Sequence, residues 1–513
     1  MRQPAFARDI GFGANDPGRG RGPGTLTEYQ HMTLKYAGRK AGAICLTVLL
    51  ALSGSIQSAS ARGISLVRDA ETEDMVREYA TPIWQAAGLV PSAVHVYLVQ
   101  DDSINAFVAA GQRLFLNTGL ITKVDTPLEL SGVIAHETGH MAGGHLVRGQ
   151  EAMDKMSLPM IASMVLGVGA MAAGAGDAGM AIIAGGGQVA QRSILAYSRQ
   201  QEGSADQAGA TYLQRAGLSG KGMLDLFEKF RDQEALSTTQ QDPFIQSHPI
   251  SEERLASLQQ RVESSPYYSR TDSPERIHQL KMIQAKLDGF MDDPDVTMRR
   301  FPLTDQSAPA RYARAVAYHK LGQNDKAVSE LDTILKSEPR NPYVWELKGQ
   351  VLFEGGDVDQ SIEPYHKALS LKPDEPQLQM ELGQALLAIE KPQNSATLTT
   401  FASSAGALDP KEPIKAFSAG VDEKSVARAA LGYLQSSAKI DPENPTTFFQ
   451  LAIAYGRLYD IGMAELSTAE YYEAIGAMKD ARCHARAAQR HFKEGSPEWL
   501  KALQRDCIGL VGD

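Results

Sequence analysis

Residues 132–147 read GVIAHETGHMAGGHLV and contain three histidines, His136, His140 and His145. His136, Glu137 and His140 form the pattern H-E-x-x-H. On a helix, side chains four residues apart point the same way, so two imidazoles can bind one Zn²⁺ ion. Zinc lowers the pKa of a bound water to about 7. Glu137 then lies where it can take the proton of that water and pass it to a leaving amine.

Residues 62–265 have the mixed pattern of an α+β domain that is mostly helical with a small sheet. Residues 92–100 (SAVHVYLVQ) and 112–119 (QRLFLNTG) are rich in β-branched and aromatic side chains and are bounded by polar residues and glycine, which predicts two strands. Residues 125–147 are predicted to form a helix, because an Asp-Thr cap precedes a proline. A further helix is predicted over 194–216.

The third protein ligand of a catalytic zinc is not specified by this motif. The longer pattern H-E-x-x-H-x-x-G-x-x-H has its glycine at Gly143, but its last position is Leu146 in this chain. His145 is one position early and, on a continued helix, points roughly 140° away from His140. His145 stays a candidate ligand if the helix ends at Gly143.

Another candidate lies on the next predicted helix, in the segment AYSRQQEGSADQAG. Glu202 can complete a His-His-Glu site there. Asp206 follows one turn later on the same face, where it can accept a hydrogen bond from the free N–H of a ligand histidine and fix its tautomer. Two solvated helix charges are the alternative, because the local spacing fits both.

The composition is globular, with 43% hydrophobic and 22% charged residues among 513, and the length predicts more than one domain. The net charge of −10 argues against a nucleic-acid partner. Residues 1–31 are polar and rich in Gly, Pro and Arg. We interpret them as a disordered extension or as sequence ahead of the true start at Met32.

Residues 32–61 combine a basic segment, an apolar segment and the small-residue site Ala59-Ser60-Ala61. This order predicts a signal peptide, and therefore an exported protein. An uncleaved N-terminal anchor is the alternative, although the apolar segment is short for a membrane span.

Residues 158–187 are rich in Gly, Ala and Met and carry one charge, Asp177. The charge-free part, 158–176, has the length of a membrane span. Because Ala and Gly contribute little transfer energy, we favour a helical hairpin that is buried in the domain or touches a membrane surface.

Residues 306–513 lack strand signals and carry an internal repeat, after a polar helical connector over 266–305. Gly349 and Gly383 are 34 residues apart, as are two prolines that precede them. This period, with its Trp, Gly, Ala and Pro positions, is typical of tetratricopeptide repeats, which stack into an all-α solenoid with a concave binding surface. An ordinary helical bundle is the alternative.

Two cysteines, Cys483 and Cys507, fall within the last predicted helical hairpin, whose turn lies near Gly495. Each is twelve residues from that turn, so a disulfide between them is one expectation for an exported chain. Two buried free thiols are the alternative.

The segments HETGH, YSRQQEGSAD and NAFVAAGQRLFLNTGL resemble the metallopeptidase family that includes the CAAX prenyl endopeptidase and HtpX. The resemblance implies that His136, His140 and Glu202 bind one Zn²⁺ per chain. It also implies that Glu137 is the general base and that Asp206 supports a ligand. In the same way, the segment beginning at Asn105, Ala106 and Phe107 is expected to be an edge strand that adds substrate as an extra strand.

SHPISEERL resembles a downstream His-Pro element of the family. His248 and Arg254 are expected at the catalytic centre, as donors to the developing oxyanion. Alternatively, His248 takes the fourth position at the zinc and keeps the enzyme inactive. Capping of the helix that begins near Ser251 is a further alternative for His248.

The order of signal peptide, peptidase domain and repeats resembles periplasmic members of the family. It implies a zinc metalloendopeptidase, with chaperone-like activity, that acts on misassembled outer-membrane proteins and contacts their assembly machinery through the repeats. No cysteine lies in 62–265, so no disulfide can join the two domains as in such relatives. The alternatives are a repeat scaffold or holdase with an idle peptidase domain, and a membrane-integral protease that uses 158–187 as spans.

Overall fold

The computed structural model describes most of the chain beyond residue 64. The described residues are 65–109, 111–145, 148, 163, 166, 176–234, 243–395, 397–399 and 421–507. The predicted signal peptide over 32–61, the segment 1–31 and most of 158–175 lie outside the described residues.

Four strands form one sheet in the order β1-β2-β4-β3. They are Leu66–Val67 (β1), His95–Val99 (β2), Ala106–Ala109 (β3) and Arg113–Asn117 (β4). β2 and β4 run parallel, whereas β1 and β3 pair antiparallel with their neighbours. The predicted strands 92–100 and 112–119 contain β2 and β4. The sheet therefore exposes β3 at one edge.

Alternating side chains give the sheet two different faces. Leu98 and Leu116 are fully buried in the core of the N-terminal domain. On the other face, Tyr97, Phe115 and Phe107 stack across three strands, with neighbouring ring centroids 4.8 Å apart. Phe107 ends this aromatic row on the edge strand.

Helices surround the buried face of the sheet. In chain order they are Ala70–Ala86 (α1), Thr118–Lys123 (α2), Pro127–Gly143 (α3), Gly176–Arg215 (α4), Lys221–Glu234 (α5), Pro243–Ser247 (α6) and Glu252–Glu263 (α7). α3 packs against α1, α4 and α5 and is buried along most of its length. The core is therefore built around the helix that carries the H-E-x-x-H motif.

α3 and α4 approach closely because glycines face the contact. A Cβ at Gly139 would lie 2.7 Å from the Ala205 carbonyl oxygen, and a Cβ at Gly209 would lie 2.9 Å from that of Ala135. Larger side chains at these two positions would push the helices apart. The close packing brings the last turns of α3 beside the part of α4 that carries the two acidic candidates.

α4 begins earlier than the sequence predicts. The structure has it from Gly176 rather than from near residue 194, so 176–187 belong to this helix. Glycines at 185–187 do not interrupt it, because each costs a helix only about 1 kcal/mol. In the part of the chain that the structure covers, no helix is long and apolar enough to cross a membrane.

The region expected to be a polar connector contributes to both domain cores. It contains Pro274–Met291 (α8) and Pro294–Arg300 (α9). Leu280 and Ile283 of α8 belong to the N-terminal core, while Met282 belongs to a core cluster of the repeats. The helix therefore joins the two domains by hydrophobic packing.

Paired helices follow α9 to the end of the described chain. They are Ala308–Lys320 (α10), Asn324–Ser337 (α11), Pro342–Glu354 (α12), Val358–Leu371 (α13), Pro376–Ala388 (α14), Glu423–Ile440 (α15), Pro445–Arg457 (α16), Ile461–Ala474 (α17), Met478–Gln489 (α18) and Pro497–Cys507 (α19). A Cβ at Gly349 would lie 2.7 Å from Tyr365, and a Cβ at Gly383 would lie 2.7 Å from Leu434. The repeated glycines thus permit neighbouring helices to approach.

The cysteines differ from both expectations. Cys483 on α18 and Cys507 at the end of α19 are free, and both are exposed. The predicted disulfide is therefore not formed, and the thiols are not buried either. The helices do pack against each other, but through small buried residues such as Ala488 and Ala502, which leaves the cysteines on solvent-facing positions.

Candidate metal centre

Helix α3 carries the first two candidate ligands. The Thr126 side chain accepts a hydrogen bond from the Glu129 N–H at the start of the helix, and Gly144 ends it in a left-handed conformation with a φ of 60°. His136 and His140 are buried and lie one turn apart near its C-terminus. Their Nε2 atoms are 3.1 Å apart, so both imidazoles face one point.

Helix α4 contributes two carboxylates to the same place. The Glu202 oxygens lie 3.4 Å from Nε2 of His136 and 3.4 Å from Nε2 of His140. Asp206 contacts the opposite side of the first imidazole, with Oδ1 2.9 Å from Nδ1 of His136. The two acidic residues are therefore not solvated helix charges, because both are buried against the histidines.

His248 joins this group from the loop after α6. Its Nδ1 lies 2.9 Å from Oε2 of Glu202 and 3.3 Å from Nε2 of His136. His136, His140, Glu202 and His248 each offer one donor atom, and these four atoms lie within 4.8 Å of one another. Three imidazoles and one carboxylate are donors that suit a divalent transition metal, so the residues fit the implied ion.

Glu137 is buried beside the four donors. The backbone of Val108 hydrogen-bonds to its carboxylate, while Oε1 has no hydrogen-bond partner and lies 3.6 Å from Nε2 of His248. Burial raises the pKa of Glu137 to about 7, against the opposing effect of positive charge on His136 and His140. An unpartnered carboxylate oxygen at this point can accept a proton.

Arg254 is directed at Asp206. Its Nε lies 2.7 Å from Oδ2 and its Nη2 2.9 Å from Oδ1 of that carboxylate, and Nη2 is 3.3 Å from Glu202. Burial alone would raise the pKa of Asp206, but hydrogen bonds from His136 and Arg254 hold it below the ordinary value. Burial alone would lower the pKa of His136, but Asp206 and Glu202 raise it to about 10. The carboxylates therefore stay charged among partners.

His145 lies near the metal centre without joining the four donors. Its Nδ1 is 3.1 Å from Nδ1 of His140, the nitrogen that faces away from Glu202. Burial, with positive charge on His140 and Arg148, lowers the pKa of His145 to about 4. The helix ends before His145, as the glycine pair permitted, yet the side chain contacts a ligand instead of the donor cluster.

The edge strand β3 passes directly over the site. The Asn105 carbonyl oxygen accepts a hydrogen bond from Asn117 on β4 at 3.0 Å. Because backbone groups alternate in direction along an antiparallel pair, Phe107 also faces β4, whereas Ala106 and Val108 face the free edge. The bond between Val108 and Glu137 agrees with this register.

Other residues around the ligands were not recognisable from the sequence. Phe227 of α5 and Phe244 of α6 pack edge-on against the His136 ring, with centroids 5.8 Å and 6.1 Å away. Val108 reaches Glu137 from the edge strand. No local pattern marks these residues, since each approaches from a distant part of the chain.

Comparison with protein families supports a metallopeptidase domain followed by a repeat domain. Residues 67–262 match the profile described as "Peptidase family M48", and residues 312–376 match a tetratricopeptide-repeat profile. Together with the small sheet and the paired helices, these matches confirm the predicted fold class, a metallopeptidase domain followed by a repeat domain.

Curated relatives cover most of the chain. It is 26% identical over 444 residues to the "Beta-barrel assembly-enhancing protease" of Escherichia coli (strain K12), covering 85% of this chain and 86% of that protein. The Yersinia pestis protein of the same name is 26% identical over 421 residues, covering 81% and 83%. "Metalloprotease LoiP" of E. coli is 28% identical over 181 residues, which is 34% of this chain and 63% of that protein. These similarities confirm the resemblance found in the sequence motifs.

Proposed function

We propose that this chain, whose residues 67–262 match peptidase family M48 and precede tetratricopeptide repeats, is a zinc-dependent endopeptidase of the periplasm. The observation that carries the proposal is the convergence of four buried donor atoms beside a carboxylate oxygen without a hydrogen-bond partner. A structural ion needs no such neighbouring base, whereas hydrolysis of a peptide bond does.

We assign His136, His140 and Glu202 as ligands of one Zn²⁺ per chain. Two imidazoles and one carboxylate are a common ligand set of catalytic zinc. When bound, the ion supplies Lewis acidity, which lowers the pKa of water and polarises a carbonyl group. Asp206 holds the Nδ1 proton of His136 and so keeps its Nε2 lone pair directed at the ion.

Glu137 is the residue that moves the proton. Its Oε1 accepts a proton from the attacking water and later donates it to the leaving amine. The hydrogen bond from the Val108 backbone holds the Glu137 carboxylate directly beside the edge strand.

His248 occupies the place of a fourth ligand in this arrangement. Its Nδ1 is as close to Glu202 and His136 as the other donors are to one another. Catalysis requires an open position, so we propose that His248 leaves the donor group when substrate binds. Arg254 is assigned to hold Asp206 rather than to donate to the oxyanion, because its guanidinium group is bonded to that carboxylate.

The substrate is proposed to bind in an extended conformation along β3. The carbonyl group of Val108 faces the free edge, where a further strand would pair with it, while the Val108 N–H is bonded to Glu137. Strand addition recognises backbone and not sequence, which suits unfolded or misassembled β-structured proteins. The names of the relatives support outer-membrane proteins as substrates.

The repeats are proposed to bind those substrates or their assembly machinery, and to give the protein chaperone-like activity. Solenoids of this type present concave surfaces to protein partners. Peripheral membrane contact through 158–187 belongs to the same proposal, because misassembled substrates lie at a membrane. The alternative is a scaffold or holdase with an idle peptidase domain, and the buried Glu137, whose Oε1 has no hydrogen-bond partner, argues against it.

The experiment compares the wild type with Glu137→Gln, which preserves the shape of the side chain. We expect the variant to bind zinc normally and to lose casein cleavage by about 10²-fold or more. In a strain that lacks the protein, it should not complement the loss. Full rescue by the variant would favour the scaffold, and undiminished cleavage would exclude Glu137 as the base.

A further inference from the structure

His145 is placed by the way α3 ends. Gly144 adopts a left-handed conformation and its N–H bonds to carbonyl groups of the last turn, which reverses the chain direction. The side chain of His145 therefore folds back over the helix and is 91% buried, since its exposed fraction is 9%.

A glycine provides the space that the ring of His145 occupies. A Cβ at position 143 would lie 2.6 Å from Nε2 and 2.8 Å from Cδ2 of His145. A second anchor comes from α4, where the Gln201 side chain donates a hydrogen bond to the His145 carbonyl oxygen at 3.1 Å. Gln201 directly precedes Glu202, so the turn is tied to the helix that carries a ligand.

The two nitrogens of His140 have different partners. Nε2 faces His136 and Glu202, at 3.1 Å and 3.4 Å. Nδ1 faces His145 Nδ1 at 3.1 Å, and the rings meet edge to face with an interplanar angle of 84°. A lone pair on Nε2 requires the proton on Nδ1, and this proton points at the His145 ring.

In His136, the other ligand histidine, the two ring nitrogens also have different partners. His136 directs Nε2 at the donor group and contacts Asp206 through Nδ1 at 2.9 Å. Among the residues that the structure describes, no carboxylate contacts the outer nitrogen of His140, and His145 takes that place. Outer partners of this kind fix the tautomer and the orientation of ligand imidazoles.

We propose that His145 is a positioning residue, which accepts the Nδ1 proton of His140 and so holds the Nε2 lone pair of that ligand toward the metal. This inference rests on the proposed metal site, which supplies the ion that His140 binds. His145 itself is not a ligand, and the glycine pair before it exists to return its ring to the helix.

The test is a competition titration of Zn²⁺ between a chromophoric chelator and the metal-free protein. His145→Ala should bind zinc about 10- to 100-fold more weakly than the wild type. His145→Asn should restore most of the affinity, because its Oδ1 can take the position of Nδ1. His145→Gln should behave like alanine, because its longer side chain places the acceptor where Nε2 lay.

Controls separate this role from others. Equal thermal midpoints of the metal-free proteins show that the variants fold alike, and if the alanine variant does not fold, the Asn and Gln pair carries the test. At saturating Co²⁺, the d–d absorption band should be the same with and without His145. A changed band would make His145 a ligand and overturn the proposal.

The remaining outcomes are equally decisive. Equal zinc affinity of the wild type and His145→Ala would overturn the positioning role while leaving the proposed function intact. Equal losses in the Ala, Asn and Gln variants would overturn it as well, since packing alone would explain them. A wild type that binds no metal would instead refute the proposed function.

Discussion

Replacing Lys286 by methionine should destabilise the protein at the contact between its two domains. Lys286 lies in the middle of α8 with 1% of its surface exposed. Its ammonium group contacts Asp69 at 2.5 Å and Glu71 at 3.2 Å in the N-terminal domain, and Glu346 at 3.7 Å in the repeats. One positive charge therefore offsets three carboxyl groups from both domains, of which those of Glu71 and Glu346 are buried.

The magnitude follows from the charges left behind. Methionine fills a similar volume, so packing is largely kept, but buried carboxylates lose their counter-charge. Removing one partner of a buried pair costs about 3–5 kcal/mol. With an m-value of about 3 kcal/mol per molar of urea, the unfolding midpoint should fall by about 1 M or more at pH 8.

The pH dependence has a defined sign. Burial raises the pKa of Glu346 to about 7, against the opposing charge of Lys286 and with the support of Asp69 and Glu71. A carboxyl group with a raised pKa contributes stability that is present at low pH and lost as the pH rises through about 7. Loss of Lys286 raises this pKa further, so the deficit of the variant should be larger at pH 8 than at pH 5.5.

The assay is urea unfolding, followed by circular dichroism at both pH values. Lys281→Met, an exposed position on the same helix, is the matched control and should change the midpoint little. Equal midpoints for the two variants at pH 8 would refute the reasoning. A deficit that grows toward pH 5.5 would refute the assignment of the carboxyl groups as its cause.

Three further predictions concern the support of a metal ligand by Asp206, another contact between the domains, and the two thiols. Asp206→Asn should weaken zinc binding about 10- to 100-fold in a chelator competition, and unchanged affinity would contradict the role of Asp206. Glu443→Gln removes a half-exposed ion pair with Arg113, so the free energy of unfolding should fall by no more than about 1 kcal/mol, and a larger loss in urea unfolding would show that this contact matters more than its exposure implies. Cys483 and Cys507 should both react with a thiol reagent in the native, unreduced protein, whereas no labelling until reduction would establish a bridge.

The catalytic motif was predictable because its information is local. The i,i+4 spacing of His136 and His140, a capping threonine and a following proline define a helix with both ligands on one face. Glu202 and Asp206 needed a family resemblance, because their spacing fits solvated charges equally well. The structure distinguishes a metal site from solvated charges, because both carboxylates are buried and contact His136.

Contacts between distant segments were not predictable in the same way. The role of His145 depends on a left-handed glycine and on the ring of His140, and a helical projection alone points it away. The coupling of the domains through Lys286 depends on carboxyl groups far apart in the chain. The sequence around Lys286 has the polar composition of a connector. It does not predict that the lysine is buried, because the burial arises only when both domains pack on α8.

The most direct test of the central claim is the zinc content of the purified protein, measured by mass spectrometry beside two variants. We predict one zinc per chain in the wild type, one in Glu137→Gln and little in Glu202→Ala. Glu137→Gln serves as the matched control, since it removes a carboxylate from the same site without removing a ligand. Stoichiometric zinc in Glu202→Ala would contradict the assignment of the third ligand.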